Sequence, residues 1–297
     1  MFRHLLNILC LPVLLVIMCF LPPQDTNQER NHKIRLENAP KPLRLKHRRE
    51  LSTGPNPRLQ ADSRLLRLPA EIRLQIWYEV FGGEVLHLVQ LPKRLGHVRC
   101  CSTLSATDAR RSCILAYRGP GPIAQPADIK LSSLDLALLQ SCRQIYTEAV
   151  DVIYATNLFD LDDVSTLLYL SQTIRPQRLA AIKYLQLTWE LLWAPFSIPE
   201  TKDPFLFPND DATWVTFWRL IETQMPGLLE LTFVVHAMYP KMDWSLDEGW
   251  VQPLLRIRGL KEFRLELSYP THSTLELPIE TFEPFRQRLT EIMCTAA

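Results

Sequence analysis

Glycine is scarce, with 9 in 297 residues, and proline is plentiful at 23. A chain so composed has stiff loops, and it has no Gly-rich run of the kind that cradles a phosphate. Neither sign of charge dominates, since Lys plus Arg number 33 and Asp plus Glu 32. No global field therefore favours nucleic acid, and no nucleic-acid partner is expected. The seven cysteines are an odd set without framework spacing, which fits reduced thiols rather than a disulfide scaffold. Common enzyme templates are missing: there is no P-loop, no His-Glu-x-x-His, no Gly-x-Ser-x-Gly and no Gly-x-Gly-x-x-Gly. Neither a catalytic residue nor a cofactor is expected. Asn-x-Ser/Thr is missing as well, a site that secreted or lumenal chains often carry.

What is present begins with a long apolar run. Residues Leu5 to Leu21 are apolar except for Asn7 and Pro12. Three readings compete: a membrane anchor at the short end of the roughly 17–25 residues a span needs, a signal peptide without a small-residue cleavage site, or a segment buried in a core. The anchor is the favoured reading, so a membrane is an expected partner through residues 5–21. From Arg30 to Arg49 follow eight basic residues with Pro40 and Pro42 among them. Such an excess beside a span keeps that side cytosolic. The expected location is cytosol-facing, with nuclear import as the alternative. The composition divides the chain into a hydrophobic segment (1–24), a basic Pro-containing linker (25–62) and a globular body (63–297).

The body opens on Leu68-Pro69-Ala70-Glu71-Ile72. Pro69 suits a first helical turn, and Glu71 suits the positive end of the helix dipole. Ile72, Ile76 and Val80 recur at four-residue spacing, with Leu68 before them and Trp77 beside them, which predicts one apolar helix face. Gly82-Gly83 ends that helix, and Val85–Leu91 and His97–Cys100 read as strands around a turn. A second helix is expected after Ser132 or Ser133, carrying Leu138, Cys142, Ile145, Ala149 and Ile153 on one stripe. Asn157–Leu161 reads as a strand, with Asp162 or Asp163 capping a third helix.

Three later segments share one pattern: Ile182–Trp189, Leu228–Val235 and Leu260–Leu267. Each carries one apolar residue, two spacers and then alternating apolar positions, and the copies start 46 and 32 residues apart. Helical patterns lie between them, at Ala212–Met225 and Trp250–Ile257, and Pro278–Met293 closes the chain. Alternating strand and helix implies parallel strands joined by crossovers. The expected fold is α/β or α+β: helices with an inserted hairpin (63–160), then leucine-rich-repeat-like helix–strand units with a partly parallel sheet (161–297).

Two constellations invite chemistry. His97-x-x-Cys100-Cys101 with Cys113 holds zinc-type ligands, but the second ligand pair is missing, so ordinary thiols are the favoured reading. Asp160-x-Asp162-Asp163 would suit a divalent cation in a metal-dependent transferase, or would simply cap the next helix.

Leu68-Pro69-x-Glu71-Ile72-x-x-x-Ile76-x-x-x-Val80 resembles the opening of an F-box, and Leu139-x-x-Cys142-Arg143-Gln144-Ile145-Tyr146 resembles the later Cys-Arg helix of that module. In an ordinary F-box these helices lie within a compact module, whereas here Leu68 and Cys142 are 74 residues apart. The span from about Leu65 to Trp189 resembles a filamentous-fungal family with a domain of unknown function and an F-box-like start. Its shared features are Leu-Pro-x-Glu-Ile-Arg (68–73), Cys-Arg-Gln-Ile-Tyr-x-Glu-Ala (142–149), Tyr-x-Thr-Asn-x-Phe (154–159) and Leu-x-Leu-x-Trp (185–189). The F-box resemblance implies a protein-interaction module. Leu68, Pro69, Ile72, Ile76, Trp77 and Val80 would dock a ubiquitin-ligase adaptor, and the C-terminal half would hold a client. A membrane-tethered scaffold and a transferase using Asp160 and Asp162 are the alternatives.

Overall fold

A computed structural model describes residues 37, 39–42, 63–100, 136–161, 164–191, 211–237, 244–268 and 279–296. The apolar run at 5–21 and nearly all of the basic linker lie outside the described residues, as do Cys101, Cys113, Asp162, Asp163 and the capping serines Ser132 and Ser133. Among the described residues, no helix is long and apolar enough to cross a membrane.

Among the described residues, six strands form one mixed, mostly parallel sheet: β1 (Val85–Leu91), β2 (Arg94–Arg99), β3 (Leu158–Leu161), β4 (Tyr184–Leu191), β5 (Glu230–Ala237) and β6 (Glu262–Ser268). Their order is β2-β1-β3-β4-β5-β6. Only β1 and β2 pair antiparallel, through a turn in which Lys93 takes φ 61°. The other neighbours pair parallel. Among the described residues, seven helices accompany the sheet: α1 (Ala70–Phe81), α2 (Ala137–Ser141), α3 (Arg143–Thr156), α4 (Val164–Thr173), α5 (Pro176–Ala180), α6 (Asp211–Gln224) and α7 (Ile279–Cys294). The α/β character read from the sequence is present. The boundary expected at residue 160 falls within β3, so the sheet runs across it.

From β1 onward, each parallel crossover advances one strand in the same direction. With right-handed crossovers, such a progression puts the helices on one face. The core follows that geometry. Leu86, Leu88, Phe159, Leu161, Leu185, Leu187, Leu231, Phe233, Phe263 and Leu265 alternate along their strands and join the buried residues of the helices in one cluster. The register reproduces the sequence repeat: Tyr184 lies beside Glu230 and Glu230 beside Glu262, the offsets that separate the copies.

Two glycines before the last strands are fixed by geometry. A Cβ on Gly227 would sit 2.4 Å from the Ala180 carbonyl oxygen, and Gly259 has φ 77°, a left-handed conformation costly for other residues. Aromatic packing joins the C-terminal elements. Trp189 of β4 stacks on Trp214 of α6 at 4.0 Å between ring centroids. The Trp214 indole N–H donates to the Trp250 carbonyl at 2.7 Å, and Trp244 meets Phe282 of α7 edge-on. These tryptophans are core.

The structure corrects two helix expectations. The stripe from Leu138 to Ile153 is not one helix, because Cys142 is extended (φ −158°, ψ 161°) and breaks it into α2 and α3. The Cys142 sulfur accepts the Ile145 N–H at 3.4 Å, so the side chain caps α3. The segment Trp250–Ile257 forms only a short 3-10 turn at Leu254–Arg256. Pro253 lacks an N–H and disfavours a longer helix there, yet Trp250, Val251, Leu254 and Ile257 are all buried.

Candidate functional site

The helix α1 starts where Pro69 predicts. Pro69 is the residue before the helix (φ −52°, ψ 148°), and its carbonyl accepts the Arg73 N–H at 3.1 Å. Gly82 ends it in extended conformation while its N–H donates to the Tyr78 carbonyl at 2.8 Å. A Cβ on Gly82 would meet the Thr156 hydroxyl oxygen at 2.6 Å, so the exit from α1 lies hard against the end of α3.

Residues four apart form rows along α1. The inward row is Arg73, Trp77 and Phe81, and both aromatic side chains are fully buried. Trp77 is therefore corrected from docking residue to core residue. The sequence stripe of Leu68, Ile72, Ile76 and Val80 is the neighbouring row, turned outward. Ile72 is 42% exposed, Leu68 and Val80 are exposed and Ile76 is half-buried, while Pro69 lies exposed at the helix start. On the far side of the inward row, Leu74 is 55% and Tyr78 48% exposed. Two large aromatic groups outweigh the branched aliphatic stripe in choosing the buried face, because they carry more apolar area.

Arg73 lies on the inward row because it has a partner. Its Nε and Nη2 donate to the two carboxylate oxygens of Glu148 on α3, at 2.8 and 2.7 Å. The Trp77 indole N–H also donates to Glu148, at 3.2 Å, and Gln144 donates at 3.0 Å. Arg73 further donates to the carbonyls of Leu66 and Leu68 in the turn before α1. The Arg73 guanidinium, with help from Gln144 and Trp77, holds the Glu148 carboxyl down to about 2. The same ion pair raises the affinity of Arg73 for its proton.

A second anchor sits at the other end of α1. The fully buried Asn157 donates to the carbonyls of Phe81 at 2.6 Å and Ile153 at 3.0 Å, and accepts the Glu84 N–H at 2.8 Å. Tyr154 stacks on Phe159 at 5.8 Å. The motif residues thus meet each other: Arg73 from the first motif clasps Glu148 from the second, Gln144 of that motif donates to the same carboxylate, and Asn157 from the third closes the far end. The pairing is not legible in the motifs themselves, since residues 75 apart carry no local sign of contact.

Asp160 is not on a surface. It is buried on β3, with its Oδ2 2.6 Å from Nδ1 of buried His87 on β1. That places it within a row of sheet residues in register, His87, Asp160, Gln186, Thr232 and Arg264, on the face opposite the main core. A cation site shared by Asp160 and Asp162 thus has one carboxylate committed to an imidazole, the other lying outside the described residues. Of the zinc-type ligands, His97 and Cys100 are half-buried at the end of β2. Among the described residues, no group of three His, Cys, Asp or Glu is placed to hold a metal ion.

A family model described as a domain of unknown function (DUF7730) matches residues 58–281. The chain belongs to this family. The match extends on both sides of the region that carries the motif resemblance and takes in the anchored α1–α3 pair and all six strands. No curated protein and no solved structure matches the chain.

Proposed function

We propose that this domain is a protein-interaction module of F-box-like type that uses the outer surface of α1 to dock a ubiquitin-ligase adaptor. One observation carries the reading. Among the described residues, the exposed large apolar side chains are Leu68, Ile72, Leu74, Tyr78, Val80 and Val215, and all but Val215 lie on α1 or the turn before it. Apolar groups concentrated on one exposed helix mark an interaction surface. Helix-in-groove binding uses rows of this spacing.

Packing also supports the reading. The two helices that resemble the F-box motifs are 74 residues apart in the sequence, yet α1 and α3 lie side by side and are joined by the Arg73–Glu148 pair. The long insertion between them does not separate the pair in space. In this reading the polar face of the sheet, with Thr232, Glu262, Arg264 and Glu266 half-buried or exposed, holds the client. In this reading the body faces the cytosol, the side favoured by an excess of Lys and Arg beside a membrane span.

The test is a pull-down with purified adaptor. Wild type should retain the adaptor, and Ile72→Asp should lose it without a change in unfolding midpoint. Ile72 suits this test better than Ile76, which is half-buried and packs against the core cluster. A wild-type protein that retains no adaptor sinks the adaptor reading.

A further inference from the structure

We infer that the surface receiving α1 is a protein groove with apolar walls and a cationic floor, an inference that rests on the docking role proposed above. Opposite the inward row of α1 runs a third row, Glu71, Gln75 and Glu79, exposed along its whole length. Apolar rows flank this ridge on both sides: Leu74 and Tyr78 on one, Leu68, Ile72, Ile76 and Val80 on the other. A groove that covers both flanks must bring its floor against the ridge. Two carboxylates cannot be covered without partners, because an unpaired buried charge is strongly unfavourable. The helix offers them a single charge, Arg73, whose field reaches Glu71. Arg73 points inward and is held by Glu148, while Arg64 and Arg67 lie exposed in the turn before the helix. Lys or Arg on the floor of the groove supplies the missing charge.

The same ridge disfavours two other occupants. A second copy of the chain packing ridge to ridge across a two-fold axis sets Glu71 and Glu79 against their own equivalents. An anionic lipid surface repels them as well, although the flanking rows are apolar enough to tempt it. Charge thus selects a different, basic protein partner. The anchors at both ends of α1, Glu148 and Asn157, present the three rows on a fixed axis, which keeps ridge and flanks in register with a groove.

The experiment has two arms, both on the full-length chain. In the first, purified adaptor is titrated against wild type, Glu71→Gln/Glu79→Gln and Glu71→Lys/Glu79→Lys at low and high salt, with unfolding midpoints checked. Binding should weaken with salt, and charge reversal should weaken it about tenfold or more, with the neutral variant between. In the second arm, a display library of helical scaffolds is selected on wild type and counter-selected on Ile72→Asp. The selected binders should place Lys or Arg between apolar positions. Adaptor binding that ignores salt and charge reversal overturns the inference while the docking role stands. No adaptor binding, together with basic-centred binders, removes the adaptor and keeps the inference. Binders without basic centres, or none that depend on Ile72, overturn it.

Discussion

Replacing Glu148 by Gln removes one charge from the joint between α1 and α3 while keeping the shape of the side chain. The carboxyl titrates at about 2 in the folded chain against an ordinary 4.5. At about 1.4 kcal/mol for each tenfold change in proton affinity, the ceiling on its contribution is about 3 kcal/mol. The Glu148 side chain is 27% exposed, so water screens part of the attraction and about 1–2 kcal/mol is the working figure. Because the folded value lies below the unfolded one, the contribution is fully present above pH 4.5 and is lost as the pH falls towards 2. Urea unfolding of wild type and Glu148→Gln, followed by tryptophan fluorescence, should separate the two proteins by about 1–2 kcal/mol at neutral pH. The gap should narrow steadily below pH 4.5. A gap under about 0.5 kcal/mol at neutral pH, or one that stays constant into acid, refutes the claim that this carboxylate anchors α1.

Two further stability predictions test the frame of the fold. Asn157→Ala strips a fully buried group from the Phe81 and Ile153 carbonyls and the Glu84 N–H, and should cost about 2–4 kcal/mol in denaturant unfolding. A loss below about 1 kcal/mol would show that these backbone groups find other partners. Gly227→Ala drives a methyl group towards the Ala180 carbonyl oxygen, a backbone atom that has no rotamer to escape into. It should lower stability by about 1–3 kcal/mol, and a neutral result would mean that the α5–β5 junction is loose.

Much of the frame was legible because local pattern and tertiary placement agree. Alternation at Leu185-x-Leu187, Leu231-x-Phe233 and Phe263-x-Leu265 gave the strands, and the offsets between copies became the pairing register. The helices at α1, α6 and α7 announced themselves by periodicity and by Pro69 or the closing apolar residues. The break at Cys142 was hidden because its stripe continues across two helices: Leu138 and Cys142 are half-buried, while Ile145, Ala149 and Ile153 are buried. The 3-10 turn near Leu254 was hidden for a similar reason, since its apolar spacing suits a helix and Pro253 decides otherwise. Short α5 carries too few residues for periodicity to show.

At the candidate site, spacing identified the rows of α1 but not which one turns inward. An arginine on the buried row looks wrong until its carboxylate is known, and Glu148 lies on another helix. Once that pair forms, Trp77 and Phe81 can bury their full area, and Ile72 and Val80 are left outside. The apolar stripe of Leu68, Ile72, Ile76 and Val80 thus stays exposed or half-buried, and the tryptophan beside it is core. Asp160 illustrates the converse. Its acidic neighbours in sequence suggested a cation, while its neighbour in space is His87.

The central claim is that α1 has an inner face that holds the fold and an outer face that binds. Measuring adaptor affinity and unfolding free energy together for wild type, Ile72→Asp and Glu148→Gln tests it most directly. The account predicts that Ile72→Asp loses about 2 kcal/mol or more of binding with stability within about 0.5 kcal/mol of wild type, as expected for a central contact on an exposed row. Glu148→Gln should lose stability and bind normally once folded. The reverse pattern, with Ile72→Asp unfolding the protein and leaving binding unchanged, would contradict the account.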